Sequence, residues 1–273
     1  MRAWIDVHVE VIGQIEQSHL RGWATVLRVP TADGVVWFKA ARDAFAHEAR
    51  LLQLTGPLAP DLLPDVIASR PEDGWLLLSD AGERARERPV EWRPLLARYA
   101  ELQLAATPLA ADLLEAGAPD LRPAALRARV ESLLPWLELE TAARLRDRLP
   151  EVDDASNLLA ASPLAPTVEH GDLHDGNVFV HDGRVRILDW GDAAVAHPLL
   201  TLTVEMEPDA RDAYLEPFTA RASRAELEAE VETILGLRYL LRAVNWERVV
   251  RYDASYATAI EERVVAFLSG DGT

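Results

Sequence analysis

His170-Gly171-Asp172-Leu173-His174-Asp175-Gly176-Asn177 leads into Val178-Phe179-Val180-His181, turns at Asp182-Gly183, and returns through Arg184-Val185-Arg186-Ile187-Leu188 to Asp189-Trp190-Gly191-Asp192. Two β-favouring runs around an Asp-Gly pair are the strongest short-range hairpin signal. A two-residue turn also fixes the register, so His181 faces Arg184, Val178 faces Ile187, and Asn177 falls opposite Leu188. Asn177 and Asp189 then emerge at the same open end. Opposed strand positions lie only about 5 Å apart, near enough for an amide oxygen and a carboxylate to share one small ion. Both are hard ligands, which suit magnesium better than zinc.

Asp172 lies on the loop that feeds the first strand of this hairpin. A carboxylate beside a magnesium site, without being one of its ligands, is placed to take a proton from a hydroxyl. Phosphoryl transfer needs that layout, because its catalysis is mainly positioning and electrostatics, with a base orienting the nucleophile. His170 and His174 read as hydrogen-bonding braces of the loop, Asp192 as a support of the Asp189 loop, and Asp175 and Asp182 as turn residues. Histidine and carboxylate at this spacing also suit a metallohydrolase, although no second histidine cluster accompanies them.

Upstream, Ile5, Val7, Val9 and Val11 alternate as in a strand, and a second strand runs from Trp23 to Val29. After Asp33-Gly34, Val35-Val36-Trp37-Phe38 ends on Lys39. Among 28 basic residues Lys39 is the only lysine, so a compact ammonium rather than a planar guanidinium is wanted there. The bland alternative is an edge-strand lysine that blocks aggregation. Helical spacing follows from Arg42 to Leu54, with Asp43 as a cap and Glu48 inside, either as a partner for Lys39 or as a solvated charge. Trp75-Leu76-Leu77-Leu78 is another strand, after which the chain turns helical. A boundary follows near residue 82, dividing the chain into a lobe of residues 1–82 and one of residues 83–273.

From about residue 91 to 160 the pattern is helical, with prolines at 108, 119, 123, 135 and 150 as punctuation. Beyond Pro198 two more helical stripes appear, Leu227, Val231, Ile234, Leu235 and then Tyr256, Ile260, Val264, Phe267. Trp246, Tyr252 and Tyr256, near Asp253 and Glu261, are either core residues or the lining of a substrate pocket.

The stretch from His170 to Asp192 resembles the catalytic and metal-binding segments of the aminoglycoside phosphotransferase-like kinases. The resemblance implies an α+β, bilobal protein-kinase-like fold: a small antiparallel β-sheet lobe with one main helix, and a larger helical lobe carrying a short catalytic hairpin. It implies that Asp172 orients the acceptor hydroxyl and that Asn177 and Asp189 hold magnesium. Chain order extends it to Lys39 and Glu48 as the phosphate-contacting lysine and its helix glutamate. Trp75 to Ala81 resembles the strand and linker whose backbone meets adenine, with Leu77, Leu78, Ser79 and Asp80 as the contacts. ATP, or GTP in its place, and Mg2+ are the implied cofactors. The sequence departs from a kinase pattern between Gly13 and Trp23, where no Gly-x-Gly-x-x-Gly loop occurs.

The net charge of −17, of which ten basic and 19 acidic residues from His170 onward contribute about half, argues against a nucleic-acid binder. It favours a cationic or neutral partner, and the resemblance implies a small hydroxylated substrate, cationic or neutral, such as an amino sugar, an aminoglycoside or a related metabolite. Zero cysteines exclude disulfides and thiolate metal sites, and no apolar run is long enough to span a membrane. A cytoplasmic enzyme acting as a monomer or homodimer is expected. The alternative is a nucleotide-binding pseudokinase or regulatory module without transfer activity, motivated by the missing glycine-rich loop.

Overall fold

The computed structural model describes residues 1–204 and 206–270. The chain forms two compact units, one of Met1–Glu91, Ala111–Ala118 and Asp172–Ala193, the other of Trp92–Ala110, Pro119–Gly171 and Ala194–Thr273. Among the described residues no helix is long and apolar enough to cross a membrane.

The first unit holds a five-stranded antiparallel sheet. Its strands are β1 (Glu16–Leu20), β2 (Ala24–Thr31), β3 (Gly34–Ala41), β4 (Val66–Arg70) and β5 (Trp75–Ser79), in the order β1-β2-β3-β5-β4. Period-2 alternation sorts its side chains. Val36, Phe38 and Leu77 join Val29 and Ile5 in one buried cluster, while Lys39, between Val26 and Leu76, faces the other way. The central place of β3 removes the edge-strand reading of Lys39. Helix α2 (His47–Thr55) lies on the lysine's face, since its Glu48 carboxylate meets Lys39. The expected helix from Arg42 is interrupted. A short 3-10 turn, Asp43–Phe45, precedes α2, and the residues at the two cap positions are Arg42 and Ala46 rather than Asp43.

The alternation of Ile5, Val7, Val9 and Val11 does not mark a strand. Residues Arg2–His8 form helix α1, with Arg2 and Asp6 paired at 2.9 Å and the Trp4 and His8 rings 4.7 Å apart, both at the i, i+4 spacing of a helix. Val7 is 77% exposed, so the alternation had no buried face to report. Ile5 is buried, and Trp4 packs edge-on against Phe38 and Trp75, which closes the sheet face opposite Lys39.

The hairpin has the expected register. Val178–His181 pairs with Arg184–Ile187, from Ile187 opposite Val178 to Arg184 opposite His181. Asp182 (φ 48°) and Gly183 (φ 76°) both take the left-handed conformation that a type I′ turn demands. Strand β6 (Glu83–Arg84) adds on the outer side, with Glu83 opposite Val180. Gly82 makes this approach, since a Cβ there would sit 2.1 Å from the Val180 carbonyl oxygen.

In the second unit, the helices Trp92–Ala106, Leu139–Ala160, Arg224–Val250 and Tyr256–Ser269 carry most of the mass. Leu227, Val231, Ile234, Ile260 and Val264 are fully buried, as their spacing predicts, whereas Leu235 and Tyr256 of the same stripes are only partly buried. Pro150 is the exception to proline as punctuation, standing inside Leu139–Ala160 between buried Leu149 and Val152. Burial of that helical stripe offsets the backbone hydrogen bond that the proline removes. A small sheet joins Asp120–Leu121, Ala194–Ala196 and Thr167–Glu169. Gln103, wholly buried, secures it, donating to the Val168 carbonyl (3.0 Å) and accepting from the Tyr214 hydroxyl (2.6 Å).

Candidate active site

Three of the residues singled out in the sequence meet at one point. Lys39 Nζ lies 2.6 Å from Glu48 Oε2 and 2.6 Å from Asp189 Oδ1. Glu48 is buried, which excludes a solvated charge, and its other oxygen accepts the Trp190 backbone N–H at 3.0 Å. That bond ties α2 to the residue following Asp189. Asp189 itself has φ 62°, a left-handed conformation that aspartate tolerates better than most residues. Trp190, fully buried, anchors the turn by donating from Nε1 to the Ile187 carbonyl at 2.8 Å.

One ammonium facing two carboxylates leaves the cluster net negative. Burial works against the Lys39 ammonium, but the charges of Asp189 and Glu48 outweigh it and hold the lysine above its ordinary range. Burial also holds Glu48 above the ordinary carboxylate range, against the pull of Lys39 and with reinforcement from Asp189.

At the start of the hairpin, Asn177 Nδ2 donates to the Asp172 carbonyl at 2.9 Å and to Asp172 Oδ2 at 3.3 Å. His174 Nε2 lies 3.2 Å from the same Oδ2. The Leu188 N–H donates to the Asn177 carbonyl at 2.8 Å, so the strand pairing carries through to the residue before Asp189. With its Nδ2 turned to Asp172, Asn177 has its amide oxygen left to serve as a ligand. That oxygen and the 60% exposed Asp189 carboxylate are hard donors, of the type magnesium takes. Among the described residues no three His, Cys, Asp or Glu side chains group to hold a metal by themselves.

The segment expected at adenine divides between the faces of β5. Leu77 is committed to the buried cluster on the face away from Lys39, whereas Leu78 shares the face of Lys39. The Ser79 N–H donates to the Asp65 carbonyl (3.0 Å), and Asp80 Oδ1 accepts the Trp37 indole N–H (2.8 Å). The stretch without a glycine-rich motif is a hairpin, with β1 exposed along its length and the Arg21 N–H bonded to the Ala24 carbonyl. In the second unit, Trp246 meets Tyr256 edge-on. Glu261 is taken up by the Glu138 N–H and the Thr141 hydroxyl, and Asp253 by Ser255. A recess in that unit is lined instead by Leu121, Glu169, Gly171, Leu200, Thr203, Leu241, Arg242 and Asn245.

Arg86 belongs to this site as well. Its Nη2 reaches Asp175 Oδ1 (3.2 Å) and approaches His174 Nδ1 (3.4 Å), beside Gly176. No local signal marks one arginine among many. Only the pairing of β6 with the hairpin brings it there.

A five-stranded antiparallel sheet whose central lysine meets a helix glutamate, together with the Asp172-to-Asp189 hairpin, defines a protein-kinase-like fold. Solved structures share it. The macrolide 2′-phosphotransferase of Brachybacterium faecium is 19% identical, with 98% of this chain and 97% of that chain covered and a TM-score of 0.61. The choline kinase of Streptococcus pneumoniae is 14% identical (98% and 97% covered, TM-score 0.62), and the ethanolamine kinase of Plasmodium vivax 10% (93% and 81%, TM-score 0.65). No curated protein sequence matches significantly. The chain belongs to the phosphotransferase enzyme family, whose model matches residues 13–230.

Proposed function

We propose that the protein is an ATP-dependent O-phosphotransferase that moves the γ-phosphate to a hydroxyl of a small molecule. The observation that carries this reading is the convergence of Lys39, Glu48 and Asp189 at one end of the hairpin that also presents Asp172 and Asn177. Lys39, kept protonated by its two carboxylates, attracts nucleotide phosphates. Asn177 and Asp189 hold magnesium, which supplies charge neutralisation on the phosphate oxygens. Asp172 accepts the hydroxyl proton as the acceptor oxygen bonds to the γ-phosphorus and the β–γ bridging bond breaks to release ADP. Leu78, Ser79 and Asp80, with the backbone of Leu77, form the adenine-side segment.

The acceptor class rests on charge and on kinship of fold. Choline and ethanolamine, acted on by two of the similar proteins, are cationic amino alcohols, and a net charge of −17 is compatible with such a substrate. An amino sugar, an aminoglycoside or a related amino alcohol is therefore the acceptor we favour.

The test is ADP release from MgATP and MgGTP with aminoglycosides, macrolides, amino sugars, choline and ethanolamine as acceptors. One acceptor should stimulate turnover, and Asp172→Ala should cut kcat by at least about 100-fold while nucleotide still binds. Wild-type kcat in that variant on a true acceptor would refute the role of Asp172. Nucleotide binding without transfer to any of them would point instead to a regulatory module.

A further inference from the structure

His174 has two ring nitrogens with different neighbours. Nδ1 accepts the Gly176 backbone N–H at 2.8 Å and lies 3.4 Å from Arg86 Nη2. A backbone N–H and a guanidinium can only donate, so the Nδ1 lone pair must face them and the ring hydrogen sits on Nε2. Asp175 Oδ1, an acceptor, is 3.6 Å from Nδ1, and it takes a bond from Arg86 instead. The Nε2–H then points at Asp172 Oδ2, 3.2 Å distant, where it joins the Asn177 amide as a second donor to one oxygen.

Arg86 is held for this task. Its N–H donates to the Asp175 carbonyl at 3.2 Å, and the preceding Ala85 N–H to the Val178 carbonyl at 2.8 Å, so the backbone is stitched to the hairpin. Gly176 leaves room for the guanidinium. A Cβ there would fall 1.8 Å from Arg86 Nη2 and 2.6 Å from His174 Cε1.

We infer that Arg86, Gly176 and His174 form a positioning relay that fixes His174 as a neutral Nε2–H donor and thereby sets the orientation of the Asp172 carboxylate. The inference rests on the reading of Asp172 as the base proposed above. His174 acts through that one hydrogen bond. Its contribution is to confine the Asp172 carboxylate to one orientation, leaving ATP binding alone.

Two measurements test it. In a long-range 1H–15N spectrum of histidine-labelled protein at pH 7.5, His174, assigned by its loss in His174→Gln, should show the Nε2–H tautomer. An Nδ1–H tautomer or an imidazolium would overturn the relay. ATP turnover is then followed with water as acceptor, as ADP release from MgATP. His174→Ala should lower kcat by about 10- to 100-fold, with KM for ATP changed less than about twofold. His174→Gln, whose amide N–H can replace Nε2–H, should recover most of the loss, and Arg86→Ala should show an intermediate loss. A uniform loss in Ala and Gln variants, or a rise in KM with kcat unchanged, would leave His174 as a fold support only. Asp172→Asn separates the two claims. If it turns over at the wild-type rate, the reading of Asp172 fails. If it is slow while His174→Ala is normal, only the relay fails.

Discussion

Replacing Lys39 by methionine keeps the length and apolar stem of the side chain and deletes only the ammonium. Two carboxylates lose their common partner, but unequally. The Glu48 side chain is 3% exposed and Asp189 60%, so solvent takes over for Asp189 and its pairing counts as a surface one, about 0–1 kcal/mol. A carboxylate left buried without its cation costs about 3–5 kcal/mol. Glu48 can reduce that by taking a proton, and it keeps the Trp190 N–H, so we expect a loss of about 2–3 kcal/mol at pH 8.

The pH dependence gives the sharper test. Burial already holds Glu48 above its ordinary range, and Lys39 is the strongest influence pulling it down. In the methionine variant the folded protein therefore keeps the Glu48 proton to higher pH than the unfolded chain does. Where the folded state binds more protons, stability falls as pH rises, here from the ordinary carboxylate range upward through the raised folded value. Lys39 in the wild type is held above its own range, so its contribution is fully present across that window and is lost only in strong alkali. The difference between the two proteins should shrink to under about 1 kcal/mol at pH 5. Urea unfolding at pH 5 and pH 8, read by tryptophan fluorescence without nucleotide, measures it. A loss equal at both pH values, or greater at pH 5, would refute the claim that Glu48 is a buried charge dependent on Lys39.

Two backbone predictions bear on the hairpin. In Gly82→Ala the new Cβ must displace the Val180 carbonyl from a residue whose φ is +80°, so we expect a loss above about 2 kcal/mol and earlier thermal unfolding. An unchanged Tm would show that β6 pairs differently. Gly183→Val puts a β-branched residue at φ 76° and should cost about 1–2 kcal/mol, again read by thermal unfolding, whereas Asp182→Gly should be nearly neutral.

What the sequence revealed follows the range of the forces involved. The hairpin register was legible because an Asp-Gly turn dictates pairing within a dozen residues, and the helical stripes because burial repeats at a fixed period. Helix α1 was not legible, since seven residues with a single buried side chain carry almost no periodic signal and its support comes from Phe38 and Trp75, far along the chain. Pro150 misled for the same reason, its cost being offset by tertiary burial. Strand alternation turns the Leu77 side chain to the face opposite Lys39, which leaves its backbone as the part that an adenine-side role would use. Arg86 and its contact with His174 depended on β6 joining the hairpin, which only long-range pairing determines.

The lone lysine shows how far composition alone can reach. Arginine serves elsewhere in the same unit even when buried. Arg186, 6% exposed, spreads its guanidinium over the carbonyls of Pro60 and Leu63 and the carboxylate of Asp65, three acceptors that need a wide fork. At Lys39 the two acceptors converge instead on a single point, each 2.6 Å from Nζ, which suits a compact ammonium better than a planar fork of donors. A chain that uses arginine for every other cation therefore keeps a lysine where the geometry is a point rather than a plane. Composition marked that position. It did not reveal that the second carboxylate is Asp189, 150 residues away, because that contact exists only once the hairpin returns its open end to β3.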